Sequence, residues 1–124
     1  MDTITWGHGA DIDGTPFRTV VSADETHGQV VALAVDMPPG LHVHPHTHDD
    51  AEQLHVVVSG TLTCRVGDER FRVGTGGTVC LPRGVEHELW NETDDDVRMV
   101  DLYTPAGIEE MFRASGAAGR GGRP

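Results

Sequence analysis

Gln53-Leu54-His55-Val56-Val57-Val58-Ser59-Gly60-Thr61-Leu62-Thr63-Cys64-Arg65-Val66-Gly67-Asp68-Glu69-Arg70-Phe71-Arg72-Val73 reads as three short strands in succession. Apolar and β-branched residues fill 53–59, 62–66 and 70–73. Val66-Gly67-Asp68-Glu69 between the last two is a hairpin turn, because Gly and Asp favour the conformations of a tight reversal. The same texture extends in both directions, with strands expected at 17–22 and 29–35 upstream and at 78–81, 87–91 and 97–103 downstream. Residues 74–77 form a second turn, and 91–96 form a wider acidic loop. Many short strands separated by Gly, Pro and Asp define an all-β chain of antiparallel sheets.

One stretch departs from this pattern. Over 106–114, Ile108, Met111 and Phe112 are three and four residues apart, so a short helix is expected there, packed on the outside of the strands. The segment 116–124 is rich in Gly and Arg and has no apolar residue larger than alanine, so it is expected to be disordered. There is no internal repeat. A chain of 124 residues with one run of strands predicts a single domain over 1–115.

Charge narrows the function. Twenty acidic against nine basic residues give a formal charge of -11, which repels nucleic-acid backbones and anionic membranes. No apolar run approaches the ~20 residues of a membrane span, and the N-terminus lacks a signal-peptide pattern, so a cytoplasmic location is expected. Cys64 and Cys80 lie in strand-like stretches without metal or redox spacing, as reduced thiols do. Histidine is the unusual count, since five of the eight fall between His42 and His55.

In Leu41-His42-Val43-His44-Pro45-His46-Thr47-His48 the four histidines have even numbers, so an extended run points them to one side. Imidazole is the commonest protein ligand for borderline divalent metals, and two imidazoles one residue apart on a strand can chelate one ion. Closure must come from elsewhere, and His87, at the start of another expected strand, is placed to supply it.

Two spaced motifs now connect these residues. Gly40 precedes His46-Thr47-His48 by five residues and Gly60 follows. Further on, Gly76, Pro82-Arg83-Gly84, His87 and Asn91 keep a second fixed spacing. In both motifs the chain resembles the cupin superfamily over residues 38–91. The resemblance implies a double-stranded β-helix, or jelly-roll barrel, with its core over about 38–104. It also implies one divalent ion on His46, His48 and His87, with Asn91 fixing a turn. His42 and His44 are too far from Gly60 to fit the motif and are expected in an exposed loop.

The fourth ligand position departs from the family, whose usual glutamate is replaced by Gln53 when counted back from Gly60. Glu52 satisfies the spacing from His48 instead. Strand parity puts Gln53, His55 and Val57 on one face, so Gln53 is favoured and Glu52 needs a bulge to reach the ion. A neutral amide leaves the site more positive and the bound ion more Lewis acidic. His55 shares the inner face as either a core histidine or a proton carrier, and His55 or Glu52 is the candidate general base. Met37, Met99, Asp101 and Tyr103 are candidate lumen residues.

The Tyr103-Thr104-Pro105-Ala106-Gly107 stretch resembles that of quercetinase-like single-domain cupins. The resemblance implies a dioxygenase acting on a small phenolic or dicarbonyl molecule with Fe(II), Mn(II), Ni(II) or Cu(II). The alternative it allows is a non-redox cyclase or isomerase like the polyketide-cyclase cupins, using Zn(II) or a similar ion. A non-catalytic sensing module is the third. A homodimer is expected, since small cupins of this kind pair and isolated short barrels expose strand edges.

Overall fold

Alternation along residues 52–57, 78–81, 87–90 and 97–104 sorts side chains into a buried and a more open face. In the computed structural model, which describes residues 4, 6, 10–12 and 15–106, the strands are β1 (Ala10–Ile12), β2 (Thr15–Val21), β3 (Val31–Met37), β4 (His42–His46), β5 (Glu52–Ser59), β6 (Leu62–Val66), β7 (Glu69–Val73), β8 (Thr78–Leu81), β9 (His87–Trp90) and β10 (Val97–Thr104). The helix expected over 106–114 and the tail at 116–124 lie outside the described residues, Ala106 apart. Among the described residues no helix is long and apolar enough to cross a membrane.

The strands build two antiparallel sheets, β1-β2-β3-β10-β5-β8 and β4-β9-β6-β7. They form the jelly roll that was expected, as two separate sheets among the described residues. Between them Leu33, Met37, Leu62, Leu81 and Met99 are fully buried. Strand β10 is central in its sheet. It pairs Asp101 with Leu33 on one side and His55 on the other, and Tyr103 with Val31 and Gln53. Gln53, His55 and Val57 are buried on the inner face of β5, in line with the parity expected for them.

β1 and β4 are additional to the expected strands. β4 contains Pro45, which removes a ladder donor, and it is an edge strand of the four-stranded sheet, where such a loss is tolerated. His42 and His44 are therefore in a strand and not in the loop expected of them.

The motif residues hold the frame together. Gly60 adopts φ +93°, and a Cβ there would lie 2.6 Å from the Asp96 carbonyl oxygen, so only glycine passes this point without displacement. Asn91 donates from Nδ2 to the carbonyls of Met37 at 2.9 Å and Asp95 at 2.7 Å, and its Oδ1 accepts from the backbone and hydroxyl of Thr93. That network fixes the acidic 91–96 loop. Gly84 donates its N–H to the His48 carbonyl at 2.9 Å, tying the turn of the second motif to a histidine of the first.

Candidate metal centre

The histidine run does not present one face. The β4–β9 register pairs Val43 with Leu89 but His46 with His87, so β4 has an extra residue between Val43 and His46. This bulge reverses the parity of the strand. His42 stays on the outer face, stacked on Trp90 at 5.2 Å between ring centroids, with Nε2 2.5 Å from Glu88 Oε2. His44 stands beside it, 4.2 Å from His42 between centroids. His46 turns inward against His87, also at 4.2 Å. The expectation that all four even-numbered histidines point one way is corrected by this single inserted residue.

His46, His48 and His87 converge, with one ligand nitrogen of each within 4.8 Å of the other two. His46 Nδ1 lies 2.8 Å from the His44 carbonyl and His87 Nδ1 lies 3.3 Å from that of Val85. A carbonyl only accepts, so each Nδ1 carries the hydrogen and Nε2 is left with its lone pair, as in metal-binding histidines. His87 Nε2 is buried and has no hydrogen-bond partner. Burial first, and the neighbouring His46 second, push the His87 pKa down to about 3, so the ring is neutral and ready to bind at pH 7.

Gln53 is 4% exposed. Its Nε2 donates to the Tyr103 hydroxyl at 2.8 Å and toward Asp101 Oδ2 at 3.5 Å, and its Oε1 is buried without a partner. The amide is thus oriented by its nitrogen with its oxygen uncommitted, and an orphaned buried acceptor of this kind calls for a cation or donor. Glu52 points the other way. Its side chain is 53% exposed and lies 3.7 Å from Arg83. The three imidazoles could hold one divalent ion.

Beside these donors is a pair that the sequence named only separately, His55 as a candidate general base and Asp101 as a lumen residue. His55 is fully buried, and its Nδ1 lies 2.5 Å from Asp101 Oδ1. The carboxylate accepts, so Nδ1 carries the hydrogen and Nε2, also buried without a partner, presents a lone pair. Both residues line a cavity of about 60 Å³ whose polar wall also includes Gln53 and Tyr103. The Tyr103 ring is 5.7 Å from that of His48, which places this wall against the histidine cluster. Burial, then the Asp101 charge, hold the Tyr103 pKa well above the ordinary tyrosine value, against the hydrogen bond from Gln53. Tyr103 is therefore a neutral hydroxyl at pH 7.

The comparisons with known proteins agree with this frame. The family model described as Cupin domain matches residues 33–103, and the chain belongs to the cupin family. H2HPP isomerase of Bacillus subtilis is 36% identical over 76 residues, covering 60% of this chain and 32% of that protein. An uncharacterized protein of Streptomyces coelicolor is 33% identical over 61 residues, covering 49% of this chain and 54% of its own. The chain thus spans about a third of the first relative and about half of the second. Among solved structures, KdgF from a Halomonas species superposes with a TM-score of 0.70 at 22% identity, over 78% of this chain and 84% of that one. At that identity the likeness concerns the fold.

Proposed function

We propose that the protein is a metal-dependent enzyme that shifts a proton within a small carbonyl or enol compound, as an isomerase does. The observation that supports this most is the His55–Asp101 pair with an unpartnered Nε2 on the wall of the cavity. His46, His48, His87 and the Gln53 oxygen would hold a divalent ion, which would supply Lewis acidity toward a substrate oxygen. His55 Nε2 then accepts the proton from the carbon next to that oxygen. Asp101 orients the ring and stabilises the imidazolium that forms. Delivery of a proton from His55 to a different carbon, after exchange with solvent, completes an isomerisation in which nothing is oxidised. Tyr103 keeps its hydroxyl proton and, through Gln53 Nε2, holds the amide in place. The relative named as an isomerase supports this choice of reaction, although the match covers only part of it.

Dioxygenase chemistry is the second reading. It is favoured by the donor set itself, since three imidazoles and an amide suit Fe(II), Mn(II), Ni(II) or Cu(II) as well as Zn(II). The two separate experimentally. The Zn-loaded protein is incubated in deuterated buffer with a panel of small hydroxyketones and dicarbonyls, followed by NMR and an oxygen electrode. Isomerisation with deuterium incorporation and no oxygen uptake is expected. His55→Ala should lower that rate roughly a hundred- to ten-thousand-fold with metal retained. Turnover that consumes oxygen and requires a redox-active ion would establish the second reading instead.

A further inference from the structure

The charge of the cavity specifies what kind of molecule it accepts. Its apolar lining includes Phe17, Leu33, Val35, Met37, Leu89 and Met99, all buried. Its polar lining is Thr15, Gln53, Tyr103 and the His55–Asp101 pair, in which the carboxylate is already engaged. The chain has no lysine. Among the described arginines, Arg65 is bound to Glu86 and Glu88, Arg70 and Arg72 face Glu92, Arg83 faces Glu52 and Arg98 faces Asp36. None of these, nor Arg18, lines the cavity.

From these observations we infer that the substrate is a small molecule with one oxygen-bearing head group and an uncharged, apolar remainder, and that compounds with a second anionic group are rejected. The inference rests on the metal-centred reading above, because the head group is assigned to the ion. An anionic group on the far part of the ligand would lose its water among mostly hydrocarbon and the Asp101 carboxylate, with the Thr15 hydroxyl as a neutral donor and no cation among the described lining residues to replace that hydration. Specificity of this kind comes from the unpaired charge in the wrong ligand as much as from contacts with the right one.

The test uses 4-methylcatechol and 3,4-dihydroxybenzoate, which share a metal-binding head and differ in a remote methyl or carboxylate. Each is titrated calorimetrically into the full chain loaded with Zn(II), whose content is measured first. The methyl compound should bind at least tenfold more tightly. Val43→Arg, which adds a cation from the edge strand to the cavity wall, should narrow or invert that ratio. Equal or tighter binding of the carboxylate by the unaltered protein would overturn the inference whatever the variant does. Zinc bound with neither catechol retained would overturn the substrate class and leave the metal site standing. Failure to hold zinc would overturn the underlying reading and this inference with it.

Discussion

Gln53→Glu restores the carboxylate that most cupins place at this position, and the surroundings of Gln53 set its effect. In the metal-free protein the new carboxylate would replace an amide nitrogen 3.5 Å from Asp101 Oδ2, with both residues almost wholly buried. Two charges at that separation repel by about 5 kcal/mol at an effective dielectric of 20. Taking up a proton at pH 7 costs a group of ordinary glutamate pKa only about 3.7 kcal/mol, which caps the penalty. The Tyr103 contact survives, because the hydroxyl that now accepts from Gln53 can donate to a carboxylate. The metal-free variant should therefore lose about 3–4 kcal/mol at pH 7, or roughly 10–20 °C in melting temperature. At pH 5 the loss should shrink to about 1 kcal/mol. A divalent ion offsets the added charge, so zinc should raise the melting temperature of the variant by more than it raises that of the unaltered protein. Thermal melts with chelator and with zinc, at both pH values, measure all of this. Glu52→Gln, at an exposed site beside Arg83, should leave metal content and both melts unchanged. If metal-free Gln53→Glu melted with the unaltered protein and gained no more from zinc, the closeness of Gln53 to Asp101 and its role as a ligand would both be refuted.

Three further outcomes follow from the packing. Gly60→Ala should destabilise by about 2 kcal/mol or more in denaturant unfolding, since φ is +93° and the Asp96 carbonyl is in the way of the new Cβ. Burial pushes the Cys64 thiol up to about 12, so at pH 8 it stays protonated and should resist alkylation in the native protein while exposed Cys80 reacts, as mass spectrometry of the labelled chain would register. His87 binds a proton at about pH 6.5 when unfolded but at about 3 when folded, so the unfolded metal-free chain takes up more protons between those values. Its stabilising contribution is complete above pH 6.5 and falls away toward pH 3, and His87→Gln should flatten that part of the stability curve.

Most of the strand frame was legible because local pattern decides it. Residues 62–66 and 78–81 form strands with the expected limits, and Gly67 and Gly76 sit in turns with positive φ. The convergence of His46, His48 and His87 was legible because motif spacing encodes it at long range. Two features were not. The bulge in β4 depends on pairing with β9, and its one local signal was Pro45 inside an extended histidine run, a residue that strands tolerate at edges and bulges. The union of His55 with Asp101 depends on the β5–β10 register across 46 residues, which no local pattern specifies.

The most direct measurement of the central claim is metal content by elemental analysis after purification and dialysis against excess zinc. Close to one ion per chain is expected for the unaltered protein and for His42→Ala and His44→Ala. Well under half that amount is expected for His46→Ala, His48→Ala and His87→Ala. Near-stoichiometric metal in the last three, or loss that tracks His42 and His44, would contradict the account.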